Sequence, residues 1–359
     1  MKKIGLNSNF KVLFIYYNPR RMSLVSPVIA IFSKLLKSIG VEVNLFDTTH
    51  YNTQQDSDAD SIEEKNLTVK PLFESLNEMK NKIQYKHTNP IDDLKKLVSK
   101  FKPDLLAVSA VESTFEGSIG ILKHIRHFQI PTVLGGVFAT FAPDIAIVQP
   151  EIDMVCIGEG EKAIVELAEK MKNGEDYSRV SNLWVKGKDG SVIKNPLASL
   201  VKLDDNPLVD MSIFEESRFY RPMGGKMYKM FPVETHRGCM YFCSFCNSPL
   251  QNKFYKEQTG QTFFRDKSIP KVYEELSYYV RLGAEYMFFW ADNFFAYPQK
   301  KIDEFCEMYA EFKLPFYCQA HPGSLSIEKV EKLKNIGMQR IGIGIEHGNE
   351  KFRKEVIKR

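Results

Sequence analysis

The sequence predicts a two-domain α/β protein, a doubly wound (flavodoxin/Rossmann-like) parallel sheet followed by the first part of a (β/α) barrel. Three observations predict it. Short apolar runs alternate with amphipathic stretches of helical length along most of the chain. A region over residues 174–225 breaks the alternation, and 359 residues suit two domains better than one. Glycines also gather where strands end, as in open sheets that take ligands at their carboxyl edge.

In order, residues 1–10 read as a tail and 11–173 as the first domain. Lys11 to Tyr17 is an apolar run stopped by Asn18-Pro19, the pattern of a strand buried on both faces. Ser26-Pro27 supplies an N-cap and a proline at the first helical position. Val28, Ile31, Phe32, Leu35, Leu36 and Ile39 then form one helical face, ended by Gly40. Val41 to Phe46 is a second strand. Residues 49–90 are polar and poorly periodic, a long loop with at most a weak helix. Alternation resumes with a helix over 91–101, a strand over 104–109, a helix over 119–128 and a strand over 132–134 that ends in Gly135-Gly136. A strand over 153–157 ends in Gly158-Glu159-Gly160-Glu161, and Ala163 to Met171 is its helix. Right-handed crossovers would put helices on both faces of this sheet.

Residues 174–225 read as an interdomain connector that contains a hairpin, with Asp189-Gly190 as its turn. The second domain, 226–359, opens with a strand over 231–235 that leads straight into a cysteine-rich loop. Helices over 272–282, 302–312 and 327–336 alternate with strands over 286–290, 316–320 and 340–346. Four such strands cannot close a barrel, so either another subunit covers an exposed sheet edge or, the favoured expectation, the barrel is truncated and continues beyond Arg359.

Composition excludes several classes. The net charge is only +4 and the basic residues are scattered, which argues against a nucleic-acid partner. No apolar run approaches the roughly 18–20 residues that span a bilayer, and no apolar segment follows Lys2-Lys3, so a cytoplasmic location is expected. Six cysteines in a chain of this length are not a disulfide framework. Cys156, Cys306 and Cys318 are isolated in apolar contexts and read as buried free thiols.

Cys239, Cys243 and Cys246 fall within eight residues, at the carboxyl end of the strand that opens the second domain. Three thiolates at this spacing can hold three irons of a cubane, whereas a purely electron-transfer cluster takes four cysteines. The missing ligand leaves one iron open to a chelating amino acid. Two other readings stand beside this one. One is a zinc site, which would need His236 as fourth ligand, awkwardly placed on the incoming strand, and the other is a set of three purely structural thiols.

The spacing, preceded by Arg237-Gly238 and with Phe245 just before the last cysteine, closely resembles the radical S-adenosylmethionine (SAM) superfamily. The resemblance implies that the three cysteines hold a [4Fe–4S] cluster and that SAM chelates the open iron. One electron then cleaves SAM to methionine and a 5′-deoxyadenosyl radical, which abstracts hydrogen from a substrate. It further implies that Phe245, Asp292, Gln319 and Glu346 contact SAM. Asp292 would stand opposite the SAM ammonium, although Ala291-Asp292-Asn293 departs from the Gly-Gly-Glu-type segment of the family. His321 and His347 are expected at the same rim.

Ahead of such a core, Leu134-Gly135-Gly136-Val137 and Ile157-Gly158-Glu159-Gly160-Glu161 resemble the cobalamin-binding domain of cobalamin-dependent radical SAM enzymes, so the resemblance covers nearly the whole chain. No G-x-G-x-x-G follows the first strand, which argues against a dinucleotide. The resemblance implies that Ser109 and a loop containing Glu112, Ser113 and Thr114 line the cobalamin nucleotide tail. Gly135, Gly136, Gly158, Glu159 and Gly160 would lie opposite. Many such domains carry a histidine after the first strand as lower cobalt ligand. This chain has Asn18-Pro19-Arg20-Arg21-Met22 there, and His50 reads as a loop residue, so no histidine is expected on cobalt.

The implied function is methylation of an unactivated carbon or phosphorus centre, with cobalamin as methyl carrier. The expected partners are a small-molecule substrate and an external electron donor such as flavodoxin or ferredoxin. A radical SAM cyclase or rearrangement enzyme is the alternative within that chemistry. A zinc-stabilised, non-catalytic binding module is the alternative outside it.

Overall fold

The computed structural model describes residues 9–18, 25–51, 82–83 and 85–359. The first part of the expected tail, Arg20-Arg21-Met22 and most of the polar stretch before Pro90 lie outside the described residues. The chain divides into two compact units. The first comprises residues 1–198, 209–218 and 222–227, and the second 199–208, 219–221 and 228–359. Among the described residues no helix is long and apolar enough to cross a membrane.

In the first unit the strands are β1 (Lys11–Tyr16), β2 (Glu42–Asp47), β3 (Leu105–Ser109), β4 (Thr132–Gly135), β5 (Met154–Cys156), β6 (Leu183–Lys186) and β7 (Val192–Lys194). They form one sheet in the order β2-β1-β3-β4-β5-β6-β7. The first five are parallel, with the change of direction along the sheet at β1 and β3 that doubly wound folds require. Val12, Leu13, Ile15, Leu105 and Leu134 are buried on both sheet faces, which explains their continuous apolar runs. Helix α1 (Pro27–Ser38) starts as its sequence dictates, with the Ser26 hydroxyl accepting from the Ile29 amide at 3.4 Å. Helix α2 (Pro90–Phe101) does the same with Asn89.

The sequence reading requires three corrections here. Helix α3 runs over Glu112–Lys123, so Glu112, Ser113 and Thr114 are its first turn rather than a loop. The Thr114 hydroxyl caps it by accepting from the Val111 amide at 3.0 Å, and Val111 at the cap position hid the helix start. Two short helices, α4 (Val137–Phe141) and α5 (Pro143–Ile147), fill the span after Gly136, where the sequence pattern predicts no element. The hairpin expected in the connector instead extends the sheet, because β6 pairs antiparallel with β5 and β7 with β6. It covers the β5 edge and leaves β7 as the outer strand, a role that local turn chemistry does not reveal. Helix α6 (Glu161–Asn173) ends at Gly174 in the left-handed conformation.

The second unit holds a sheet in the order β14-β13-β12-β9-β8. Strands β9 (Lys226–Val233), β12 (Tyr286–Phe289), β13 (Phe316–Ala320) and β14 (Met338–Ile343) are parallel, and β8 (Tyr220–Met223) lies outside β9. A two-residue pair, β10 (His236–Arg237) with β11 (Arg265–Asp266), stands beside it. The helices are α7 (Ser248–Thr259), α8 (Ile269–Arg281), α9 (Gln299–Tyr309) and α10 (Ile327–Asn335). Phe231 stacks on Tyr279, and Phe289, Phe305, Tyr309 and Phe316 form a fully buried ring cluster under the sheet. Helix α7 directly follows the cysteine loop and was missed, although Asn247-Ser248-Pro249 carries a start signal. Strand β14 ends at Ile343, so Glu346 lies three residues past the strand it was expected to end.

Candidate functional site

The carboxyl edge of the second sheet is built by the segments that leave β9, β12 and β13. The chain leaving β9 turns at Gly238, whose φ is +88°. A Cβ there would stand 2.8 Å from the Phe263 ring and 3.1 Å from the Phe264 Cα, so the turn admits only glycine without displacement. The cysteine loop follows. The Ser248 hydroxyl of α7 accepts from the Cys239 amide at 2.9 Å, and Asn252 Nδ2 donates to the Cys239 carbonyl at 2.8 Å. Asn252 also accepts from the Phe264 amide at 3.2 Å, which ties the loop to the segment that constrains Gly238. In the sequence Ser248 is marked only by the helix-start pattern Asn247-Ser248-Pro249, and Asn252 by nothing beyond its place after the last cysteine.

All three thiols are free, with Cys243 buried and Cys239 and Cys246 partly exposed. Burial raises the pKa of Cys239; the Tyr241 amide opposes this, and the neighbouring Asp292, Cys243 and Cys246 add to it. The three sulfurs are thus close enough to sense one another. Among the described residues, however, no three His, Cys, Asp or Glu side chains converge as one metal ion requires. Three clustered thiols are a donor set that an iron–sulfur cluster uses, whereas a structural zinc takes four protein ligands. The Ser248 amide points at Cys246 Sγ at 3.4 Å, and the Arg359 guanidinium at Cys243 Sγ at 3.6 Å. Both are donors of the kind that stabilise thiolate.

Among the other expected rim residues, Asp292 lies beside this loop. It is exposed as a residue, yet atoms crowd its carboxyl, and this burial together with Glu234 raises its pKa against the opposing Gly238 amide. Phe245 exposes 57% of its surface, with the Arg359 guanidinium 6.0 Å from its ring. Gln319 is exposed on β13, with its Nε2 3.5 Å from the Tyr317 hydroxyl. Glu346 has φ +64° and faces Arg359 at 3.8 Å. His347 is exposed, with its Nδ1 accepting from the Asn349 amide. The structure therefore brings Asp292 and Phe245 to the cysteine loop, while Gln319, Glu346 and His347 stand in the open.

His321 is different. It is only 7% exposed, and its ring stacks on Tyr241 of the cysteine loop with centroids 3.6 Å apart and planes 10° from parallel. Asn293, fully buried, accepts from the His321 amide at 3.0 Å and the Ser324 hydroxyl at 2.9 Å. Behind the loop, Glu234 accepts from Arg237 and faces Lys267, which also binds Glu275 at 2.7 Å. Burial alone would raise the Glu234 pKa, but Arg237 and Lys267 outweigh it and bring it to about 2. Burial pushes His236 down to about 4 against the opposing Asp266 and Glu234. Its Nδ1 lies 3.2 Å from the Thr235 hydroxyl, so this ring belongs to the wall behind the loop.

In the first unit, the carboxyl ends of β3, β4 and β5 bring Ser109, Gly135, Gly136 and Gly158-Glu159-Gly160 to one edge. Gly136 has φ +103° and ψ −175°, a region open to glycine alone, and a Cβ would meet the Ala110 carbonyl oxygen at 2.4 Å. Gly160 lies against the Phe32 ring, where a Cβ would stand 2.7 Å away. Two unforeseen residues hold these turns. The Thr140 hydroxyl donates to the Gly136 carbonyl at 3.1 Å and accepts from the Gly158 amide at 3.0 Å. Asn182 Nδ2 donates to the carbonyls of Ile157 and Glu159, both at 2.9 Å. Ser113 is exposed on α3, whereas Thr114 is buried with its hydroxyl used in the helix cap, so Thr114 leaves the candidate set. His50 follows β2 in a turn, buried beside the Ser217 hydroxyl, and burial then Arg218 lower its pKa.

Family models match both units. A family model described as the Radical SAM superfamily matches residues 233–359, and one described as the B12 binding domain matches residues 80–168. The uncharacterized methyltransferase PH0819 of Pyrococcus horikoshii is 25% identical over 269 residues, covering 72% of this chain and 55% of that protein. The cobalamin-dependent radical SAM methyltransferase TokK of Streptomyces tokunonensis is 27% identical over 210 residues, covering 55% and 28% respectively. The solved structure of OxsB, a cobalamin-dependent S-adenosylmethionine radical enzyme with aqua-cobalamin and S-adenosylmethionine bound, superposes with a TM-score of 0.67. Its sequence identity is 19%, and the match covers 97% of this chain and 45% of that one. The chain spans about half the length of curated relatives such as PH0819. With one family model on each folded unit, in this order, the chain carries a B12-binding domain followed by a radical SAM domain, and these domains imply cobalamin, a [4Fe–4S] cluster and SAM as cofactors.

Proposed function

We propose that this chain supplies the cobalamin-binding and SAM-cleaving parts of a methyltransferase that acts on an unactivated carbon or phosphorus centre of a small molecule. The observation that carries this reading is the meeting of three free thiols with Asp292 at the carboxyl edge of a parallel sheet. Cys239, Cys243 and Cys246 are the residues that would hold the cluster. When bound, the cluster supplies the electron that cleaves SAM, and cobalamin carries the methyl group.

The chain's own residues bind and orient. Asp292 accepts from the SAM ammonium, and the Gly238 amide holds its carboxylate in place. Phe245 offers an open aromatic face to the adenine. Gln319 and Glu346 are outer contacts at the rim. Ser109, Ser113 and the turns at Gly135-Gly136 and Gly158-Glu159-Gly160 line the cobalamin tail, where glycine permits close backbone approach. No histidine of this chain coordinates cobalt. An external flavodoxin or ferredoxin supplies the electron, and the protein works in the cytoplasm.

The test is anaerobic reconstitution of the full chain. About four iron and four sulfide per chain are expected. With SAM, cobalamin and a reductant, 5′-deoxyadenosine and S-adenosylhomocysteine should both appear. One zinc and no iron would overturn the reading. Deoxyadenosine without S-adenosylhomocysteine would replace methylation with cyclisation or rearrangement.

A further inference from the structure

Two buried nitrogen donors beside the cysteine loop have no hydrogen-bond partner among the described residues, His321 Nε2 and Asn293 Nδ2. Such groups are rare because each carries an unrepaid desolvation cost, and an unpaired one implies an acceptor that is missing. The exposures, 7% for His321 and 0% for Asn293, rule out bulk water as that acceptor.

The His321 ring is held on three sides. Its Nδ1 accepts from the Gly323 amide at 3.0 Å, which puts the ring proton on Nε2. Its face is stacked on Tyr241, midway between Cys239 and Cys243. Its backbone amide donates to Asn293 Oδ1, which leaves Asn293 Nδ2 as a second donor in the same bonded unit. A neutral imidazole with a fixed Nε2–H against the cysteine loop is built to donate. A second unpaired donor in the same bonded unit suits an acceptor that carries negative charge.

We infer that His321, oriented by Gly323, Tyr241 and Asn293, is a positioning residue that donates from Nε2 to an anionic acceptor seated at the cysteine loop. The inference rests on the cluster reading above. Two acceptors share that chemistry, a sulfur of the cluster and the carboxylate of SAM, and measurement separates them. His321→Asn keeps an oxygen for the Gly323 amide but removes the Nε2 donor, whereas His321→Gln restores an N–H near the Nε2 position.

Parent and variants are reconstituted anaerobically and assayed for iron, cluster midpoint potential without SAM, and SAM affinity by equilibrium dialysis. If the acceptor is the SAM carboxylate, His321→Asn weakens SAM binding about tenfold or more at unchanged potential, the worth of one hydrogen bond to a charged group. If it is a cluster sulfur, the potential moves more negative at unchanged affinity. In either case His321→Gln returns the affected quantity toward the parent. Parental potential and affinity in an iron-loaded His321→Asn protein overturn the inference. Should His321→Asn hold no iron, His321→Gln decides: iron with parental binding supports the donor role, and loss in both overturns it. A parent chain without iron would instead refute the cluster reading.

Discussion

Gly238→Ala tests whether the cysteine loop is locked by its backbone. At φ +88° an L-residue is strained by roughly 1–2 kcal/mol. The new methyl would also stand 3.1 Å from the Phe264 Cα and 3.2 Å from its amide nitrogen. Those atoms cannot rotate away as the Phe263 ring can, and overpacking of this kind costs about 1–3 kcal/mol. Together the variant should lose about 2–5 kcal/mol, a large share of the roughly 5–15 kcal/mol that a folded domain commands. Part of that strain can be relieved by moving the loop, which displaces Cys239 and breaks the bonds to Ser248 and Asn252. Urea unfolding followed anaerobically should show a lower midpoint with an unchanged slope, and reconstituted protein should hold less iron than the parent. A variant that matches the parent in both midpoint and iron would refute the claim that this turn fixes the ligand loop.

Single replacement of Cys239, Cys243 or Cys246 by Ala should abolish iron retention, whereas Cys156→Ala and Cys318→Ala should keep it, since burial pushes both of those thiols up to about 12; iron analysis after reconstitution distinguishes the two groups. Thr140→Val preserves shape but unpairs the Gly158 amide, while the Gly136 carbonyl keeps the bond from the Thr140 amide, so thermal unfolding should reveal a loss of about 1–3 kcal/mol and cobalamin binding should weaken. Stability should fall in acid in two overlapping steps. His236 is neutral in the fold, so its contribution is complete above its ordinary value of 6.5 and is lost as pH falls toward 4. Glu234 is ionised in the fold, so its contribution is complete above 4.5 and is lost as pH falls toward 2. Each step is worth up to roughly 3 kcal/mol, and urea midpoints across that range, flat between pH 7 and 3, would contradict the assignment.

Elements that depend on local pattern were legible and the rest were not, as particular residues show. Ser26-Pro27 fixed the start of α1 because a cap and a proline act within one turn. The start of α3 was hidden because Val111 cannot cap by side chain, and the bond comes from Thr114 instead. Strand β14 read too long because Gly344 and Ile345 continue an apolar pattern that pairing with β13 does not use beyond Ile343. At the site, the ligands announced themselves by spacing, but their supports did not. Ser248, Asn252, Asn293 and Thr140 are ordinary polar residues until folding brings them to a particular amide or carbonyl.

By itself, the sequence determined the two-domain α/β plan, the three clustered thiols and the glycine turns, since periodicity, close cysteine spacing and missing side chains are properties of short segments. Only the tertiary structure decided that the hairpin after Asn182 extends the first sheet and that Thr140 joins two turns. It alone placed His321, far along the chain from the cysteines, face to face with Tyr241. Those choices depend on which backbone groups meet across long stretches of chain, and such meetings leave no local trace.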